Sequence, residues 1–321
     1  MTFTVLGAGA FGSALAIALA RGGKDVILWG RNSDHMRLRQ SSRQNQKHLG
    51  DAQFPASLCA TDNLREACQK EVIFLAVPMQ QLSELLSKIE TDLDAKVLVA
   101  CCKGIDLITA QGPTGIIKQL APKAEAAILT GPSFASDIAK GLPTALTLAC
   151  ASTEVGKTIQ HEIATDALRI YRSEDVSGAE LGGALKNVVA IACGIAIGAG
   201  LGDSARAALM TRGYSEMCRM ALEFNAKPET LSGLSGLGDL SLTCMSDGSR
   251  NYRFGHALGS GHQQDETQTV EGKSTAQAAV KLAQKSGLDM PITKAVDDLV
   301  SGRIDVAQAT RMLMSRPQKE E

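Results

Sequence analysis

The first half of the chain alternates short apolar runs with stretches whose apolar residues recur at helical spacing. The apolar runs predict strands at 3–6, 25–29, 71–77, 96–101, 126–129, 144–148 and 168–171. Helix-like material lies between several of them, at 14–21, 79–86 and 153–164. That alternation is the mark of an α/β fold built on a doubly wound, mostly parallel, Rossmann-like sheet. Near Ser177 the pattern changes. From Gly178 onward helical periodicity and capping signals continue without strand-like runs, which predicts an all-helical C-terminal domain. The expected division is 1–177 and 178–321, with the boundary in a helix packed across a cleft; only the tail, 316–321, reads as disordered.

One stretch resists this simple reading. In "GGALKNVVA", 182–190, a helix would set Gly182, Gly183, Val189 and Ala190 on the same face as Lys186. A face made for close packing carries an ammonium group. An unpaired buried charge is costly, so Lys186 must reach water, find a partner or lose its proton.

Composition narrows the classes. With 321 residues, 44% hydrophobic and 21% charged, the chain is an ordinary globular protein long enough for two cores. A net charge of −1 and only 3% aromatics exclude a general nucleic-acid surface. The apolar segment 188–201 is too short and glycine-rich for a membrane span and predicts a buried helix. The eight cysteines have no disulfide-framework or C-x-x-C spacing, and the five histidines are scattered, so no metal site is expected. The first motif begins at Gly7, which leaves no room for a signal peptide; the expected setting is reduced and cytoplasmic.

That first motif is Gly7-Ala8-Gly9-Ala10-Phe11-Gly12, a G-x-G-x-x-G directly after a strand and before a helix. Gly7 allows a tight turn, Gly9 lets backbone approach a pyrophosphate, and Gly12 lets helix and strand pack closely. The helix start then offers N–H groups to phosphate charge. After the strand ending at Trp29 comes Gly30-Arg31-Asn32, where an NAD-selective site commonly carries an acid. Arg31 is either a partner for a 2′-phosphate or a solvated loop arginine. NADP(H) is therefore the preferred cofactor, with NAD(H) admitted.

Further ligand groups are expected at later strand ends, where open parallel sheets bind ligands. Lys103 and Gly104 stand in "CCKGID", Gly131 and Ser133 in "GPSFA". In the helical half, Asp239 follows the glycine-rich "LSGLG"; a helix-initial aspartate is the alternative role. At 247–251, Asp247-Gly248 turns the chain, Ser249 is a good N-cap, and Arg250-Asn251 open a helix. Hydroxyl, guanidinium and amide at a helix start suit a small anion such as phosphate.

Taken together these motifs resemble the bacterial NAD(P)-dependent glycerol-3-phosphate dehydrogenase family, from the loop at Gly7 to "MPI" at 290–292. The specific pieces are "KG" at 103–104, "GPSFA", "GALKN" at 183–187, "GLGDL" at 236–240, "SRN" at 249–251 and "VEG" at 270–272. Departures are mild: Phe11 stands where a larger aromatic is frequent, Ser13 for Thr, and Asp137 for Glu. The resemblance implies reversible hydride transfer between NAD(P)H and dihydroxyacetone phosphate, giving sn-glycerol 3-phosphate for phospholipid synthesis. It implies Lys186 as proton donor and acceptor; on chemical grounds Asn187 or Asp239 is expected to orient that amine by hydrogen bonding. Substrate would be held by Lys103, Gly131, Ser133, Lys186, Asp239, Ser249, Arg250 and Asn251. Beyond the loop residues Gly7, Gly9, Ala10 and Gly12, cofactor contacts fall on Phe11, Arg31, Lys103, Ala135, Arg250 and Glu271. A cytoplasmic homodimer without metal is the implied state. A 3-hydroxyacid dehydrogenase, whose substrate carboxylate could take the place of the phosphate, is the competing enzyme reading; a cofactor-sensing regulatory protein is the competing non-enzyme.

Overall fold

Eight short strands form one sheet in the order β3-β2-β1-β4-β5-β6-β7-β8. They are β1 (Phe3–Leu6), β2 (Val26–Trp29), β3 (Leu58–Thr61), β4 (Val72–Leu75), β5 (Val97–Ala100), β6 (Glu125–Thr130), β7 (Thr144–Cys150) and β8 (Leu168–Ser173). This computed structural model describes residues 1–262 and 268–315; the tail expected to be disordered lies outside them. Every pairing is parallel except β6 with β7. The central strands are buried on both faces, which is why they read as unbroken apolar runs. Phe3 and Val5 pack on one face with the helix Ala10–Arg21; Leu6, Ile73 and Leu75 pack on the other.

Register brings the strand ends level. Leu6 pairs with Trp29 and with Leu75, and Leu75 with Ala100. The loops that begin at Gly7, Gly30, Ala76 and Cys101 therefore open side by side on one sheet edge, the carboxyl edge where such folds bind ligands. The expected strands all form. β3 is the one that the apolar pattern does not mark: it is an edge strand of four residues, with Cys59 exposed.

Two compact units divide the chain: Met1–Lys103 with Gln111–Glu180, and Gly104–Ala110 with Leu181–Glu321. The first holds the whole sheet. In the second, all described regular elements are helices, beginning with the greater part of Val176–Gly198. That helix is long and apolar enough to cross a bilayer by length and composition, yet 83% of its apolar window is buried in the fold. It is the core helix of its unit: Val188, Ile191 and Ile195 pack with Ile292, Val296 and Leu299.

Glycines set how closely its neighbour approaches. A methyl on Gly194 or Gly198 would overlap the carbonyls of Tyr252 and His256, and one on Gly255 or Gly259 those of Ile191 and Ile195. Helix Val176–Gly198 and helix Arg250–Gly259 thus touch backbone to backbone. A buried carboxylate ties a further pair. Glu216, on Gly202–Glu223, accepts from the backbone N–H groups of Ile292 and Thr293 at 2.6 and 2.9 Å, capping the helix Pro291–Val300.

Candidate active site

In the sheet unit the glycine loop has the expected form. Gly7 adopts φ +123°, and a methyl there would meet the Ala76 carbonyl oxygen at 2.5 Å, so no other residue fits. Gly12 backs onto Gly7 with no space for a side chain. Gly9 is different: nothing lies within 4 Å of where its methyl would be. It is also the N-cap of the helix Ala10–Arg21, which has no side-chain cap and no acidic residue in its first turn. An open cradle over an uncapped helix start fits a pyrophosphate.

Other predicted residues of this unit surround the same edge. Arg31 is exposed just after β2, and Phe11 is half-buried in the first turn of the loop helix. Lys103 and Ser133 converge on one atom: the Lys103 amine lies 3.4 Å and the Ser133 hydroxyl 3.2 Å from the Gly131 carbonyl oxygen. Gly131 itself is buried, with φ +130°, and Ala135 opens the helix Ala135–Lys140.

In the helical unit, Lys186 is only 7% exposed and Asp239 only 1%. The Lys186 Nζ donates to Asp239 Oδ1 at 2.8 Å and to the Thr243 hydroxyl at 2.7 Å. Thr243 in turn lies 3.3 Å from Asp239 Oδ1, closing a triangle. Of the two candidates for orienting the amine, Asp239 makes the contact. Gly182 explains how: a methyl there would stand 2.5 Å from the Ser235 carbonyl oxygen. The bare helix face admits the π-helical turn Leu234–Gly238, which delivers Asp239 at the start of Asp239–Cys244. The aspartate both opens a helix and pairs with the lysine.

Asn187 serves elsewhere. Its side-chain oxygen accepts from the Asn251 amide at 2.9 Å, and Asn251 Oδ1 accepts from the Gly272 N–H at 2.9 Å. Asn251 thereby joins three helices, Val176–Gly198, Arg250–Gly259 and Glu271–Ser286. Ser249 is the N-cap expected, accepting from the Tyr252 N–H at 3.2 Å, while Arg250 beside it is exposed. Glu271 heads its helix, half-buried, next to Gly272.

Thr243 is the residue that sequence reasoning missed. Its signal was present: it lies four positions after Asp239, on the same helix face. The adjacent Cys244 is no nucleophile. A hydrogen bond with Cys193, then burial, hold its thiol well above the ordinary cysteine range, so it stays neutral beside the ion pair. Among the described residues no group of His, Cys, Asp and Glu is gathered for a metal.

These features define a class: a dinucleotide-type α/β unit followed by a helical unit that buries a lysine–aspartate pair and carries an anion-suited helix start. Known proteins make it specific. Residues 2–156 match the family described as "NAD-dependent glycerol-3-phosphate dehydrogenase N-terminus" and residues 175–311 match the corresponding C-terminus. The chain belongs to the NAD-dependent glycerol-3-phosphate dehydrogenase family. It is 54% identical over 321 residues to a glycerol-3-phosphate dehydrogenase [NAD(P)+] of Ruegeria sp., covering 100% of both chains. A protein of the same name from Cereibacter sphaeroides is 55% identical over 317 residues, with 99% of each covered. Among solved structures, the crystal structure of glycerol-3-phosphate dehydrogenase from Coxiella burnetii superposes with a TM-score of 0.92 at 36% identity, covering 98% of this chain and 99% of that one.

Proposed function

We propose that the protein is an NAD(P)-dependent sn-glycerol-3-phosphate dehydrogenase that interconverts dihydroxyacetone phosphate and sn-glycerol 3-phosphate, the latter serving phospholipid synthesis. The observation that carries this reading is the buried amine of Lys186, held by Asp239 and Thr243 in a chain of this family. The sheet unit binds the dinucleotide and the helical unit carries the substrate chemistry. Gly7, Gly9, Ala10, Phe11 and Gly12 hold the pyrophosphate region, and Arg31, Lys103, Ala135, Arg250 and Glu271 complete the cofactor contacts. Arg31 gives NADP(H) the advantage over NAD(H) through a charge-assisted bond to the 2′-phosphate.

A bound reduced nicotinamide supplies hydride to the ketone carbon. Lys186 does the complementary work: its ammonium donates a proton to the ketone oxygen as negative charge grows there. In the oxidation direction the neutral amine takes the proton back from the hydroxyl. Asp239 and Thr243 fix the direction of the Nζ, so the proton is delivered along one line. Ser249, Arg250 and Asn251 bind the phosphate, and Lys103, Gly131 and Ser133 contact the rest of the small substrate. That grip on a non-reacting group turns binding energy into orientation of the carbonyl.

The eight free cysteines suit a reducing, cytoplasmic setting. The family resemblance favours a homodimer, which sedimentation would read directly. The activity is tested by following nicotinamide absorbance with dihydroxyacetone phosphate and with an unphosphorylated keto acid, using NADPH and NADH in turn. Oxidation with the phosphorylated ketone alone, faster with NADPH, is expected. Oxidation with the keto acid instead would contradict the proposal and favour the 3-hydroxyacid dehydrogenase reading.

A further inference from the structure

Asn45 is a polar side chain only 2% exposed, in a segment that the proposed chemistry does not use. Its amide nitrogen donates to the Ala8 carbonyl at 3.3 Å and to the Ser13 hydroxyl at 2.7 Å. Ala8 sits between Gly7 and Gly9 in the glycine loop, and Ser13 lies in the helix that comes after it. The segment that carries Asn45 is itself fixed. Gln44 bridges Gln53, the Phe54 N–H donates to the Arg43 carbonyl at 2.7 Å, and the Arg43 guanidinium bonds the Pro55 carbonyl. Leu49, Ala52 and Phe54 anchor it on the core of the sheet unit. Asn45 is thus a rigid post beneath the loop.

We infer that Asn45 is a positioning residue for the cofactor: it sets the direction of the Gly9 N–H toward the pyrophosphate. The reason is the planarity of the peptide bond. In a trans peptide the carbonyl of one residue and the N–H of the next lie in one plane and point opposite ways. Drawing the Ala8 carbonyl down onto Asn45 turns the Gly9 N–H away from it, at the residue whose surroundings are open. The bond to Ser13 holds the amide in place and links the loop's orientation to the helix whose N-terminus faces the same charge. An isosteric Asp in that place has no N–H to give and repels the Ala8 carbonyl, which frees the peptide to rotate.

This inference rests on the dinucleotide reading of the loop, and the test separates the two. Trp29, the single tryptophan, ends β2 on the same sheet edge, and its emission is expected to change when a ligand binds there. Dissociation constants for NADPH and for 2′-AMP, which lacks a pyrophosphate, are measured for the wild type, Asn45→Asp, Asn45→Ala and Ser13→Ala, with melting temperatures alongside. Loss of two hydrogen bonds to the loop and its helix predicts about tenfold weaker NADPH binding for the Asn45 variants and about threefold for Ser13→Ala. The 2′-AMP constants are expected to stay at the wild-type value. Wild type that binds neither NADPH nor NADH would overturn the dinucleotide reading. Variants that bind NADPH as the wild type does, or that weaken both ligands equally, would overturn the role of Asn45 alone. Ser13→Ala removes one bond only and keeps the test decisive should the Asn45 variants not fold.

Discussion

The Lys186 amine lies 2.8 Å from the Asp239 carboxylate, and both side chains are withdrawn from water. A buried pair of this kind is costly to break and cheaper to replace, because removing one member strands the other's charge. Asp239→Ala alone is therefore expected to lower stability by about 3–5 kcal/mol. Adding Lys186→Met should recover much of that loss without restoring turnover. Urea unfolding of the single and double variants measures the stabilities, and an NADPH oxidation assay measures the turnover. Equal stability of the two would mean that the pair is not buried as a charged unit.

Arg250 stands exposed at the start of the helix capped by Ser249, where a substrate phosphate would bind. A hydrogen bond to a charged partner is worth about 1.5–3 kcal/mol, so Arg250→Ala should raise the KM for dihydroxyacetone phosphate by about ten- to a hundredfold. Steady-state kinetics at saturating NADPH checks this. An unchanged KM would move the phosphate to another set of residues.

The close contact of helices Val176–Gly198 and Arg250–Gly259 predicts a distance effect. A methyl on Gly255 has to push against the Ile191 carbonyl, one turn beyond Asn187. Gly255→Ala is expected to cost about 1–3 kcal/mol of stability. It should also raise the KM for dihydroxyacetone phosphate, because the Asn187–Asn251 bond at 2.9 Å spans the same two helices. Melting curves and KM together distinguish this from a local defect: loss of stability with an unchanged KM would show that the helix start does not depend on the packing.

A pH effect comes from Asp298, far along the helical unit. Burial raises its carboxyl, but bonds to Lys294 and Arg303 outweigh that and hold it below the usual aspartate range. A carboxylate shifted downward in the fold adds stability above its unfolded value, and that share is lost as pH falls through the native value. The stability difference between wild type and Asp298→Asn should thus be largest near neutrality and shrink below about pH 4. Urea midpoints across that range measure it. A difference that grew on acidification would mean that the carboxyl is shifted the other way.

Much of this architecture was legible in the chain because each signal was local. Central strands buried on both faces read as plain apolar runs, and G-x-G-x-x-G has a fixed meaning between strand and helix. Ser249 was readable as a cap because capping depends on its immediate neighbours. β3 escaped because an edge strand of four residues with an outward Cys59 has too little apolar pattern to stand out. Gly104–Ala110 groups with the helical unit, and nothing in its composition marks that excursion. The roles of Thr243 and Asn45 were hidden for a different reason. Thr243 shares a helix face with Asp239 four positions before it, but its bond to Lys186 spans 57 positions and those of Asn45 span 32–37, and no short-range pattern encodes such pairings. The small residues around Lys186 announced close packing, but only the fold identified the turn at Leu234–Gly238 as what they admit.

Proton transfer by one buried amine is the central claim, and chemical rescue addresses it most directly. Lys186→Ala is assayed for NADPH oxidation by dihydroxyacetone phosphate, with NADPH binding followed through Trp29, before and after adding a small alkylamine. The expected result is turnover reduced by about a thousandfold or more with NADPH still bound, and partial recovery that rises with amine concentration. Turnover within a few-fold of the wild type, with no response to added amine, would contradict it.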